Sequence, residues 1–349
     1  MLVGLFVIFA TLIFLAFFEE YLGRYKWMAY ILVGIVLVVY AGARPIGFDR
    51  DSPNYEMMFM NPDAKESVIS VEPSFLWISK ICSLLVQDVR PVLVMYAILG
   101  VTLKLYAIKR YTPLFFLPLV IYFGNFYYLH ELTQIRAGIA SAFFLLAVPF
   151  MADKKKLAAL GLILLACLFH YSALSLLPLL FLDNSPMGRV KKIIVAMVVP
   201  LCFVLYFLGL DMLTTVPIPY VTDKVEAYKA MSEYGPVEKN SILNPFPLMK
   251  MAVLLYFLYF SDTIAKYVPY IHILIKILAC SLFVYFAFSS ITIVSTRISE
   301  LYGIIEIVAY PCIVFTIRPR FVGKLLVCII AIIEMVFNSI VWDFFDFNV

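Results

Sequence analysis

The chain has 349 residues, of which 64% are hydrophobic and only 14% charged, and its mean hydropathy is +0.98. Soluble domains carry about 45–50% apolar and about 25% charged residues, so this composition excludes a water-soluble globular protein and describes a polytopic membrane protein. The formal net charge of +4 is scattered over short loops, which leaves no basic patch for nucleic acid.

A helix that crosses a bilayer needs about 17–25 largely apolar residues. Ten stretches meet that length: 2–18, 27–43, 91–108, 112–129, 133–152, 193–210, 246–262, 269–289, 300–317 and 322–342. The first has no basic flank and no small-residue cleavage site, so it is expected to be a span and not a signal peptide. Residues 73–87 are amphipathic and predict a helix lying at the membrane interface. No repeat or low-complexity tract interrupts the series, and the expectation is one all-α integral membrane domain over 1–349.

Basic residues in short loops mark the cytoplasmic side. Arg24 and Lys26, Lys109 and Arg110, Lys154–Lys156, Arg189–Lys192, Lys266, and Arg318, Arg320 and Lys324 all fall on one side of this arrangement. The loops 44–72 and 211–245, the turns 130–136 and 290–299, and both termini then lie outside the cytoplasm. Segment 157–181 has basic clusters at both ends. Thirteen residues (157–169) rise about 20 Å as a helix, short of the ~30 Å hydrocarbon core, and His170-Tyr171-Ser172 follows. A re-entrant helical hairpin with His170 near its tip satisfies both ends. One long kinked span is the competing reading, and it would invert everything after it.

Six cysteines lie almost entirely in apolar segments without a CxxC pair, and read as small buried hydrophobes. Charged residues inside membrane segments are costly, roughly 3 kcal/mol on insertion scales, and usually face a bundle interior or a wet cavity. Arg136, His170 and Arg297 stand in such positions. Around them, Arg44, Asp49, Arg50, Asp51, Glu72, Glu131, Gln134, Tyr171 and Tyr302 collect on the outer side. Lys224 and Tyr228 lie in a loop segment that reads either as a lid or as a plain solvated loop. Together they predict an outward-facing cavity for an anionic ligand, with arginine forks matched to phosphate oxygens. Each has a plainer alternative. Arg136 would serve as an interfacial anchor, Arg297 as the partner of Glu300 at i+3, and His170 as a satisfied core histidine. Asp49-Arg50-Asp51 has a DxD form, but Arg50 opposes a cation, so an internal ion pair is preferred and no metal is assigned. Lys250, Lys276, Glu306 and Glu334 lie inside spans; pairing between helices is preferred over an ion path. No GxGxxG or Walker motif appears, and no cofactor is expected.

Five ordered stretches resemble the EpsG-like family of polysaccharide polymerases, related to the Wzy O-antigen polymerases of bacteria. They are FDRDSPNYEMMF (48–59), EPSFLWISKI (72–81), QIRAGIASAFFLLA (134–147), CLFHYSALSLLPL (167–179) and STRISELYG (295–303). The resemblance implies a GT-C-like glycosyltransferase of the bacterial inner membrane that joins oligosaccharide repeat units carried on undecaprenyl diphosphate at the outer face. It implies functional roles for Asp51, Glu72, Arg136, His170 and Arg297, and a chain-length regulator and a flippase as partners. Many relatives have glutamine directly after the arginine; here Ala137 follows Arg136, and Gln134 precedes it by two. The competing functions are a lipid-linked oligosaccharide flippase or secondary transporter, and an O-antigen ligase.

Overall fold

In a bilayer, backbone N–H and C=O groups have no water to bond and must be satisfied within the segment. The computed structural model describes residues 1–61, 72–210, 212, 241–242, 244–289 and 291–341. Among the described residues every regular element is helical, as the composition demands of a polytopic membrane protein. Seven helical runs among the described residues are long and apolar enough to cross a membrane.

The longest run joins α1 (Leu2–Phe18) to α2 (Lys26–Gly42) through a tight coil, Glu19–Tyr25. Gly23 there adopts φ +49°, a conformation that suits glycine because it lacks a Cβ. The outer loop holds a short helix, α3 (Ser52–Met60), that hydrophobic length alone does not predict. Next comes α4 (Pro73–Ser83), within the expected interfacial segment. Proline at its first position costs no hydrogen bond. Its Phe75, Ile78 and Cys82 turn inward at helical spacing, while Leu76, Trp77 and Ile81 stay exposed.

The following helices are α5 (Arg90–Tyr111), α6 (Leu117–Ile121), α7 (Ile135–Ala152) and α8 (Lys156–Phe169). The expected span 112–129 winds differently. After α6 it widens into a π-type coil, Tyr122–Thr133, that ends with the Gln134 N–H bonded to the Leu129 carbonyl at 2.6 Å. Beyond α8 the chain rewinds as a tight 3₁₀ stretch, Tyr171–Phe181. Then follow α9 (Arg189–Ala196), α10 (Val198–Leu208), α11 (Pro245–Ile264), α12 (Ile271–Ala287), α13 (Thr292–Gly303), α14 (Glu306–Ala309), a 3₁₀ turn (Tyr310–Phe315) and α15 (Arg320–Val341). The expected span 269–289 corresponds to α12, an apolar helix of 17 residues.

The chain divides into two compact units, Met1–Leu180 with Glu306–Val349, and Phe181–Ile305. In the first, α5 packs against both α2 and α7, α8 packs along α7, and α15 lies on the π-type coil and the 310–315 turn. Buried charge ties the π-type coil into this unit. Lys104 Nζ donates to Glu131 Oε1 at 2.6 Å and to the Gly138 carbonyl at 2.7 Å, and the Tyr122 hydroxyl donates to the same Glu131 oxygen at 2.8 Å. Gly138 also lets α7 lie close against the end of the π-type coil, because a Cβ there would meet the His130 carbonyl oxygen at 2.2 Å. In the second unit α12 packs against α10, α11 and α13. Lys276 pairs with Asp183, and Lys250 Nζ donates to Ser281 Oγ at 3.1 Å.

Candidate active site

Three segments far apart in sequence bring their polar residues together in the first unit. Glu72 is the residue before α4, held extended (φ −66°, ψ 147°) ahead of Pro73. Arg136 is the second residue of α7. His170 is the residue after α8, where the backbone turns extended (φ −156°, ψ 123°) and the helix stops. The break expected in segment 157–181 therefore falls at His170.

Glu72 joins the other two. Its Oε1 meets His170 Nδ1 at 2.7 Å, and its Oε2 accepts from an Arg136 terminal amino group. An ionised carboxylate can only accept, so Nδ1 carries the hydrogen that points at Glu72, and Nε2 is the ring nitrogen turned away from it. The Glu72 side chain is 4% exposed, against 14% for Arg136 and 17% for His170. The acid is thus covered while the two basic groups keep an open edge. Burial pushes the Glu72 carboxyl up, but the hydrogen bond from His170 and the charge of Arg136 outweigh it and hold the carboxyl below its usual range.

Aromatic rings support this trio. The Tyr55 ring lies 5.7 Å from the Arg136 guanidinium carbon, and its hydroxyl donates to the Thr133 carbonyl at 3.1 Å. Tyr55 stacks toward Phe75, Phe75 toward Tyr96, and Tyr96 meets Phe169 edge-on, with centroids 5.7–6.2 Å apart. Ser74 Oγ and the Tyr96 hydroxyl share a hydrogen bond of 3.1 Å. These rings belong to a buried cluster that includes Ile78, Val92, Leu93 and Ile139. Tyr55 and Tyr96 were not among the residues that sequence reasoning selected. Spacing on α3, with Ser52, Tyr55 and Phe59 on its buried face, is the signal that marks Tyr55.

The other candidates occupy distinct places. Arg44 is buried, its Nε donating to Asp49 Oδ2 at 2.9 Å and NH1 to the Ala41 carbonyl at 2.7 Å. Asp49 Oδ1 accepts from the backbone N–H of Asp51 (3.0 Å) and of Ser52 (2.9 Å). The Asp49-Arg50-Asp51 stretch thus makes an internal ion pair at its first acid. Asp51 precedes α3 and is half-buried near Tyr55, and Arg50 is exposed. Gln134, half-buried, precedes α7, and Tyr171, also half-buried, opens the 3₁₀ stretch. Glu131 is buried with Lys104 rather than at an open rim, and His130 Nδ1 lies 3.2 Å from Ser141 Oγ. Arg297, exposed, and Tyr302, buried, belong to α13 in the second unit. Lys224 and Tyr228 lie outside the described residues.

The EpsG family profile matches residues 26–347, nearly the whole chain. The chain belongs to the EpsG family. That membership supports a membrane polysaccharide-polymerase-like role, and the matched region contains Glu72, Arg136 and His170. No curated protein and no solved structure matches this EpsG-family chain.

Proposed function

We propose that this EpsG-family protein is a bacterial membrane glycosyltransferase that polymerises oligosaccharide repeat units carried on undecaprenyl diphosphate. The reading puts it in the inner membrane with the Glu72 site on the extracytoplasmic side, as the distribution of loop charges suggests. One observation carries the proposal: a covered carboxylate that grips a histidine with one oxygen and an arginine with the other.

The acceptor hydroxyl attacks the anomeric carbon of the donor glycan. A new carbon–oxygen bond forms to the acceptor, the bond to the diphosphate oxygen breaks, and undecaprenyl diphosphate leaves with that electron pair. The hydroxyl proton passes to His170 Nε2. Glu72 fixes the ring through Nδ1 and stabilises the imidazolium that results, the division of labour known from carboxylate–histidine dyads. General-base help of this kind contributes about 10²–10⁴-fold. Arg136 has five N–H donors, and Glu72 engages one terminal amino group, so its fork can serve the growing negative charge on the diphosphate.

Asp51, Arg50, Gln134 and Tyr171 are the residues of this unit proposed to meet the glycan. Arg44 serves the loop that presents them. Arg297, Tyr302, Lys224 and Tyr228 remain proposed contacts for the diphosphate or glycan on the grounds of sequence. A chain-length regulator and a flippase are proposed partners. Deletion of the gene tests the proposal by gel analysis of surface polysaccharide. The expected result is loss of the long-chain ladder with a single repeat unit retained. An unchanged ladder, or loss of every repeat, would overturn it.

A further inference from the structure

Away from Glu72, α2 and α5 leave a groove of about 580 Å³ on the surface of the first unit. Gly34 sets the floor, because a Cβ there would lie 2.7 Å from the Leu105 side chain. The walls are exposed and apolar, with Ile31, Ile35 and Val39 on α2 facing Ile98 and Tyr106 on α5. Two polar side chains of the lining are bonded within the chain. The Tyr30 hydroxyl donates to the Leu105 carbonyl at 2.9 Å, and Thr102 Oγ1 to the Ile98 carbonyl at 2.5 Å.

One end of the groove is charged. Lys109 lines it, with its Nζ donating to the carbonyls of Thr112 (3.4 Å), Pro113 (3.2 Å) and Leu114 (3.0 Å) and resting 3.4 Å from the centre of the Phe115 ring, so it adds charge to this end while its N–H donors are engaged. Arg110 also lines it and is exposed, with its guanidinium carbon 4.9 Å from the Phe150 ring. Lys26 and Glu19 lie near Lys109. Glu19 Oε2 is occupied by the backbone N–H groups of Phe115 and Phe116, both at 3.1 Å. Glu19 is thus engaged by backbone, which leaves Lys26 and the exposed Arg110 as the cations of this end beside Lys109. Trp27 stands at the same end, the position an amphipathic ring takes at headgroup level.

The length of the groove points to its occupant. From Trp27 to Val39, α2 rises about 18 Å, and half of a ~30 Å hydrocarbon core is about 15 Å. An acyl chain of one leaflet fits that span, whereas a polyprenyl chain would overrun it. We propose that the groove binds one anionic phospholipid. Its acyl chain lies between α2 and α5, and its phosphate meets Lys26 and Arg110, with the charge of Lys109 alongside. The site is separate from the proposed glycosyl transfer and does not depend on it.

Native mass spectrometry of the delipidated full chain tests this with phosphatidylglycerol and phosphatidylcholine of identical acyl composition. The wild type is expected to retain phosphatidylglycerol about fivefold or more over phosphatidylcholine, the selectivity that one well-placed basic side chain supplies. Thr102→Phe, on an exposed wall, should lose both lipids, and Ile35→Phe on the facing wall should do the same. The double variant Lys26→Gln/Arg110→Gln should keep the chain contact and lose the preference. Equal retention of the two lipids by the wild type would overturn the proposal, as would unchanged retention in both wall variants. So would displacement of phosphatidylglycerol by equimolar undecaprenyl phosphate, which would make the occupant a prenyl chain.

Discussion

Glu72 is the residue on which the site turns, and it was legible in the sequence only as one acid among several. The sequence carries no sign that residues 64 and 98 positions away share its two oxygens. Arg136 and His170 were easier to find, because a basic residue in an apolar stretch is costly and calls for a partner. Tyr55 was not singled out, because an aromatic residue in an outer loop looks the same whether it lies under a guanidinium or faces water. Glu72→Gln keeps the shape but removes the charge, and hydrogen bonds to charged groups contribute about 1.5–3 kcal/mol each. The expected outcome is a lower melting temperature at pH 7 and a loss of polymerisation of about 10²-fold or more, the scale of general-base catalysis. The pH dependence has a definite sign. The Glu72 carboxyl titrates below its ordinary 4.5 in the folded chain, so its stabilisation is complete above about pH 4.5 and is lost as pH falls through the folded value. Melting curves should show that acid step in the wild type and lack it in Glu72→Gln. Identical acid steps in the two proteins would remove Glu72 from the ionised pair.

Among the elements, the long apolar helices and the interfacial α4 could be read directly, since hydrophobic length and amphipathic spacing are local properties. The break at His170 was legible for the same reason, as thirteen apolar residues are too few to cross. The π-type coil Tyr122–Thr133 was not. It depends on Lys104 reaching Glu131 and the Gly138 carbonyl, 27 and 34 positions away, and on the close approach of Gly138 to the His130 carbonyl. Gly138→Ala puts a methyl group against backbone, where little can yield, and overpacking of this kind costs about 1–3 kcal/mol. A reduced melting temperature with misalignment of Arg136, two residues earlier, is expected. A melting temperature equal to that of the wild type would contradict this account of the helix contact. The hairpin reading of 157–181 gives its own outcome. Cysteine introduced at Ser185 should be labelled from the cytoplasmic side, and labelling from the outside alone would exclude the hairpin.

For the whole molecule, composition excluded a soluble protein, and the ordered polar islands pointed to the family that the profile match then identified. The first unit carries the Glu72 site, and the expected Arg297 contact lies on α13 of the second. Buried charges and a broken helix are also features of transporters. In this chain Lys104 instead engages the buried Glu131, and Lys276 pairs with the half-exposed Asp183. Chemistry and transport remain separable by one measurement on the purified chain in proteoliposomes supplied with undecaprenyl-diphosphate-linked repeat units. The glycosyltransferase account predicts a ladder of longer lipid-linked glycans from the wild type, and a single unextended unit from His170→Ala folded to the same melting temperature. Movement of intact repeat units across the bilayer without any chain growth by the wild type would contradict it.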